Sequence, residues 1–198
     1  MRLLISVLLF AATVAIGKAN AATLTLTSAP ANVTISDLVN ISLDISGLTG
    51  GAAPGLGAYD LDIAFDPAVL SFNSASFGTG LDIFGLGDMQ SVTPGSNSVN
   101  VFELALDPAI DLIAHQGSSF RLANLTFNAL SSGTSALSIN LKGLTDAFGN
   151  PLVANTNGTV VTVSAVPEMQ SFVLMLVGLC VVAVATRKAR QSSCGREA

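Results

Sequence analysis

Val39-Asn-Ile-Ser-Leu-Asp-Ile-Ser46 alternates without a break. Val39, Ile41, Leu43 and Ile45 fall on one side, and Asn40, Ser42, Asp44 and Ser46 on the other. Successive side chains of an extended chain point to opposite faces. The octet therefore predicts a strand with one face in a core and one in water. Residues 23–27 and 59–65 repeat the pattern, and Tyr59 alternates with the inward set. Further strand candidates are 33–35, 69–72, 98–106, 119–129, 135–141 and 159–165. Within 119–129 the phase changes, since Phe120 and Leu122 share one parity and Leu125, Phe127 and Ala129 the other. A β-bulge near Ala123-Asn124 reconciles the two halves.

Asp66-Pro67, Thr93-Pro94-Gly95, Asp107-Pro108, Ser132-Gly133 and Gly149-Asn150-Pro151 are turn signals between these runs. No segment of the middle carries a long helical period, and residues 109–114 suffice for one turn. Short strands at this spacing predict an all-β domain over 22–165, an antiparallel β-sandwich of about nine strands.

The two ends are different material. The chain has 198 residues and is 50% hydrophobic, and much of that apolar content lies in residues 3–16 and 172–185. Residues 22–166 hold eleven acids against two bases, Arg121 and Lys142, a formal charge of −9. Such a surface cannot neutralise phosphates, which excludes nucleic acid as a partner. Divalent cations or basic protein patches suit that field better. Both cysteines, Cys180 and Cys194, lie outside the middle, so the domain must be held by its core alone.

At the front, Arg2 precedes an apolar run of 14 residues, and Ala19-Asn20-Ala21 is a small-x-small cleavage site. This order predicts a signal peptide over 1–21, cut by signal peptidase after Ala21. The alternative is a buried N-terminal helix. At the back, Val166-Pro167-Glu168-Met169 is followed by the apolar run 172–185 and by Arg187-Lys188-Ala189-Arg190. A helix over about 170–186 is marginally long enough to span a bilayer at 1.5 Å per residue, with Arg187 and Lys188 snorkelling to the interface. Its basic flank places the C-terminus in the cytoplasm and the domain outside, in agreement with the signal peptide. A run this short also suits a soluble core helix.

Pro-Glu, an apolar helix with Leu176, Gly178 and Leu179, and a basic terminus together resemble the PEP-CTERM sorting signal. The matching positions are Val166, Pro167 and Glu168, then Leu176, Gly178 and Leu179, then Arg187, Lys188 and Arg190. Met169 stands where that family usually repeats proline, and the tail after Arg190 is longer than usual. The resemblance covers about the last 30 residues. It implies an exosortase-type partner, passage through the inner membrane of a Gram-negative bacterium, and a destination at the cell surface or in an exopolysaccharide or biofilm matrix.

A second resemblance spans the middle. Gly57-Ala-Tyr-Asp-Leu-Asp-Ile-Ala-Phe-Asp-Pro-Ala-Val-Leu70 is similar to an early strand of cohesin domains and the aromatic-Asp-Pro turn that follows it. Residues 122–130, 133–137 and 144–152 fit later cohesin strands in order. The resemblance implies a nine-stranded jelly-roll sandwich and, as partners, a dockerin-like protein or a carbohydrate. No dockerin-contact motif can be matched residue by residue.

Candidate chemistry in the middle is sparse. The lone histidine, His115, precedes Ser118 and Ser119, but no Gly-x-Ser-x-Gly accompanies it. One histidine and no domain cysteine exclude the usual structural zinc site. Calcium needs clustered oxygens, and two groupings offer them: Asp60 and Asp62 on one strand face with Asp66 in the following turn, and Asp146 with Asn150. A solvated strand face and turn-stabilising carboxylates explain the same residues. No Trp and a single Tyr argue against a sugar-stacking cleft. The sequence thus predicts a non-enzymatic exported module without a resident cofactor, calcium being the one candidate.

Overall fold

The computed structural model describes residues 21–165 and 175–182. Among them, eleven strands and one short helix form a two-sheet sandwich. The five-stranded sheet contains β1 (Ala22–Ala29), β3 (Leu38–Ser46), β5 (Leu70–Phe77), β8 (Ser119–Ala129) and β10 (Ala154–Asn157), in the order β10-β1-β3-β8-β5. The six-stranded sheet contains β2 (Asn32–Thr34), β4 (Leu56–Ala64), β6 (Asp88–Pro94), β7 (Ser98–Ala105), β9 (Gly133–Asp146) and β11 (Thr159–Ser164), in the order β2-β11-β9-β4-β7-β6. Helix α1 (Ala109–His115) links β7 to β8.

Two expectations are corrected. The strands number eleven rather than about nine: β6 and β10 are edge strands without a clear apolar alternation. The sandwich is not purely antiparallel either. β10 joins β1 in parallel, and β2 joins β11 in parallel. The cause is that the chain changes sheet twice near its ends, from β1 to β2 around Pro30 and from β10 to β11 around Gly158. The short strands β2 and β10 thereby lie at the edges of their sheets, each beside a strand that runs its own way.

The alternation of β3 is obeyed throughout: Val39, Ile41, Leu43 and Ile45 are fully buried. They meet Leu24 and Leu26 of β1, Leu125 and Phe127 of β8, and Leu61 and Ile63 of β4 in one core cluster. Phe127 sits at its centre, edge-on to Phe65 and Phe72 with ring centroids 5.1 and 5.7 Å apart. Tyr59 is buried, as its parity predicts.

Bulges adjust the phase of several strands. On β8 the register with β3 slips between Leu43 and Asp44, so that Leu122 and Ala123 are both buried. The bulge thus lies about one residue before the position expected. On β9 the extra residue is Lys142, between the pairs Asp60↔Gly143 and Leu61↔Leu141. On β4 it is Gly57, where a Cβ would run into the carbonyl of Asp146.

The register also sets the two ends of the sandwich. β4 begins and β9 finishes beside α1, since Leu56 pairs with Asp146 and Gly55 lies against Ile113 and Gln116. β11 runs the other way and leaves at Ser164, beside the first residues of β9.

Residues 175–182 are helical, and Leu179 and Cys180 there are exposed. No helix among the described residues is long and apolar enough to cross a membrane. The rest of the expected span at 170–186 lies outside the described residues. So do Ala19 of the cleavage site and Val166, Pro167, Glu168, Arg187, Lys188 and Arg190 of the sorting signal.

Candidate functional site

The outer face of the six-stranded sheet is where chemistry gathers. Three cross-strand rows can be followed through β6, β7, β4 and β9. The first is Thr93, Asn100, Asp62 and Asn140; the second Ser91, Phe102, Asp60 and Gly143; the third Met89, Leu104, Ala58 and Thr145. The face therefore grades from polar to apolar over three rows. Phe102 and Leu104 are half-buried and Met89 is exposed.

Asn100 ties the carboxylates together. Its Nδ2 donates to Asp60 Oδ1 at 2.6 Å, to Asp62 Oδ1 at 2.9 Å and, at 3.3 Å, to the Leu61 carbonyl. Lys142, turned onto this face as the bulge residue of β9, places Nζ 2.8 Å from Asp62 Oδ1. The Lys142 contact, then the Asn100 amide, hold the Asp62 carboxyl below its ordinary range. Asp62 in turn raises Lys142. The group carries two carboxylates against one ammonium. A partner that brings hydrogen-bond donors to Asp60 and apolar contacts to Phe102 and Leu104 matches it.

The calcium groupings come apart. Asp60 and Asp62 do share a face, but the Asn100 amide NH2, a donor, bridges their Oδ1 atoms, and the Lys142 ammonium also sits on Asp62 Oδ1. Asp66 is not with them: its Oδ1 accepts from the Ala68 N–H at 2.9 Å and organises the turn into β5. Asp146 and Asn150 do meet, within a turn. Asp146 Oδ1 accepts from the N–H of Phe148 and of Asn150, and Oδ2 accepts from Asn150 Nδ2. Burial pushes this carboxyl up, but the Asn150 and Phe148 bonds outweigh it and hold it below its ordinary range. Both carboxylate oxygens are thus engaged by protein donors. Among the described residues no group of three or more His, Cys, Asp or Glu could hold a metal ion.

His115 ends α1, exposed, with Nδ1 2.9 Å from the Asp111 carbonyl oxygen. Its partner is a backbone oxygen, so no base–orienter pair of a hydrolase forms there.

Beneath this face lies one of the eleven acids, Glu103, away from solvent. Glu103 continues the inward parity of Val99 and Val101 and is 1% exposed. Tyr59 Oη lies 2.7 Å from Glu103 Oε2 and 3.3 Å from the Leu122 carbonyl, and Gln90 Nε2 donates to Glu103 Oε1 at 3.2 Å. Burial, reinforced by the neighbouring Asp88 carboxyl, pushes Glu103 up to about 8. Burial, with the negative field of Glu103, raises Tyr59 as well. Tyr59 Oη donates to Glu103 Oε2 and the Gln90 amide to Oε1, so both oxygens of the buried carboxyl have a partner. The parity of 99, 101 and 103 carried this signal; counting Glu103 among surface acids obscured it.

No family model and no curated protein matches the sequence. Solved structures do match. A non-cellulosomal cohesin from Archaeoglobus fulgidus superposes with a TM-score of 0.56 at 14% identity, over 77% of this chain and 96% of that one. The cohesin of a type I cohesin–dockerin complex from Clostridium thermocellum gives 0.59 at 11% identity, over 73% and 100%. A type II cohesin domain from the cellulosome of Acetivibrio cellulolyticus gives 0.59 at 15% identity, over 71% and 95%. These identities carry the fold and nothing finer. The described domain is a cohesin-like β-sandwich.

Proposed function

We propose that this domain is a non-enzymatic binding module that captures a dockerin-like protein on the outer face of its six-stranded sheet. The observation that carries the reading is the Asp60–Asn100–Asp62–Lys142 network beside Phe102 and Leu104. A half-buried apolar centre flanked by pre-positioned charges is the usual anatomy of a protein interface. Several of the similar cohesins were solved in complex with dockerins, which favours a protein over a glycan as partner. A panel of dockerin modules titrated calorimetrically against the full chain tests it. One saturable partner is expected, weakened at least tenfold by Asp60→Ala with Phe102→Ala. A glycan array that yields the only saturable ligand would replace the protein partner with a carbohydrate.

The ends of the chain supply the cellular setting of this proposal. The module is exported by its signal peptide, held in the inner membrane by the C-terminal segment, and handed to an exosortase-type enzyme for the cell surface or an exopolysaccharide matrix. β11 finishes at Ser164, so the Val166-Pro167-Glu168 stretch begins as soon as the sandwich ends. An enzyme reading that stretch would act within a few residues of the last strand in sequence. Fractionation of cells with and without the exosortase checks this part: an unprocessed C-terminus in the wild type would sink it.

A further inference from the structure

The α1 end of the sandwich leaves large apolar side chains in water. Phe84 is 49% exposed, Leu86 65%, Leu106 54% and Ile110 75%. Phe148 and Val153, on the turns that reach the same end, are exposed too. They sit on held backbone. Asp107 Oδ2 accepts from the N–H of Ile83 and Phe84, and Asp82 Oδ1 from that of Gly87. The buried Gln116 side chain bonds both the N–H and the carbonyl of Leu56 and also the Gly80 carbonyl. Phe84 stands edge-on to His115 at 5.1 Å. Beside them opens a cleft of about 260 Å³, with Ile83, Phe120 and His115 in its walls and Asp82 at its rim. Apolar groups held on a pinned scaffold mark a contact surface rather than a fluctuating loop.

Charge and placement select the occupant. Asp82, Asp88, Asp107, Asp111 and Asp146 surround this end. The two described cations nearby, Arg121 and Lys142, are each committed to an aspartate on an outer sheet face. A second copy would bring the same acids and be repelled. An anionic lipid surface would be repelled likewise, and β11 leaves for the C-terminal segment from the opposite end. We propose that the α1 end is a second docking surface, separate from the sheet face, and that it takes a basic polypeptide segment whose apolar side chains enter the His115–Phe120 cleft and cover Phe84 and Ile110.

The probe is a labelled 18-residue Leu/Lys amphipathic peptide, with a Leu/Glu peptide of the same pattern as its counterpart. The full chain is held in phosphatidylcholine nanodiscs, and empty discs give the background. Anisotropy should show saturable binding of the Leu/Lys peptide only, weakening with salt. Phe84→Ser with Ile110→Ser should weaken it at least tenfold without moving the melting temperature, because both side chains are exposed. Asp111→Asn should weaken it about threefold. Binding unchanged by the double variant, or equal for the two peptides, overturns the proposal. So does concentration-dependent self-association lost in the double variant, which assigns the patch to a second copy. Affinity for anionic vesicles lost in the same variant assigns it to a membrane and overturns the proposal as well. Dockerin binding at the sheet face should be untouched by these variants, so each surface can fail independently.

Discussion

The two outer faces of the sandwich obey the same alternation and differ in almost everything else. The five-stranded sheet turns out Thr23, Thr25 and Thr27 from β1, Asn40, Ser42 and Asp44 from β3, and Asn124, Thr126 and Asn128 from β8. These are short, mostly neutral side chains, and the single ion pair, Asp44 with Arg121, lies near one end of the strands. The six-stranded sheet turns out a charged network and a row of apolar side chains side by side. A strand needs only some polar group on its wet side, and Ser, Thr and Asn supply that with little side-chain entropy at stake. The first face is what folding alone requires. The second contains residues that folding does not require, and this contrast is what favours it as the proposed binding face.

The contrast breaks most completely where both faces share a support. Phe127 is fully buried under both sheets and packs on Phe65 and Phe72. Phe127→Ala should cost about 3–5 kcal/mol in a urea melt, and partner binding should fall with the folded fraction. A loss below about 1 kcal/mol would mean that the two sheets hold together without their central aromatic.

A difference between the sheets' inner sides should show in pH. The six-stranded sheet buries Glu103, and its folded pKa of about 8 stands above its ordinary 4.5. The folded state then holds a proton that the unfolded chain releases. Stability from this group is complete below about pH 4.5 and is lost as pH rises to about 8, with a slope of up to about 1.4 kcal/mol per pH unit. Asp62 and Asp146 act in the opposite sense. Their lowered pKa values stabilise the fold above 3.8, and that contribution is lost as pH falls through the lowered values. Maximum stability should therefore lie at about pH 4 to 5, and Glu103→Gln should flatten the alkaline side. Melting curves from pH 3 to 9 check both; an unchanged slope in the variant assigns the effect elsewhere.

On the outer faces the expected effects are smaller and local. Asp60→Ala with Phe102→Ala should weaken partner binding by at least tenfold, about 1.4 kcal/mol or more. Thr25→Ala with Thr126→Ala, the same number of truncations on the five-stranded face, should leave it unchanged. Equal losses from both pairs would erase the functional distinction between the faces.

What the sequence made legible follows from where the phase stays constant. β3 runs without interruption of its inward set and was readable to within a residue, whereas β4 was readable only from Tyr59 onward, past its bulge at Gly57. β5 and β9 were cut short at Phe72 and Leu141. The next residues, Asn73 and Lys142, are bulges, after which the inward set continues on the other parity as Ala75 and Phe77, and as Leu144. On β8 both halves of the shifted pattern were long enough to reveal the bulge. β6 and β10 are edge strands, and Ala154–Asn157 contains no large apolar residue to alternate. The parallel edge pairs follow from chain crossings between sheets, which no local pattern encodes. The same holds for the site. That Asp60 and Asp62 share a face was readable from parity. That Asn100 would bridge them and Lys142 sit on Asp62 depends on the register of β7 and β9 against β4.

The smallest effect is expected at Arg121. It pairs with Asp44 at 3.0 Å, and the two side chains are 47% and 36% exposed. Water and salt screen such a pair, so Arg121→Ala should cost less than about 1 kcal/mol in a urea melt, and less still in 0.5 M salt. The Lys142–Asp62 pair is shorter, and its Asp62 side chain is only 23% exposed and also bound by Asn100. Lys142→Ala should therefore shift partner affinity where Arg121→Ala does not. If Arg121→Ala proves the more damaging to binding, the Asp44–Arg121 corner belongs to the interface, and the five-stranded face is more than what folding requires.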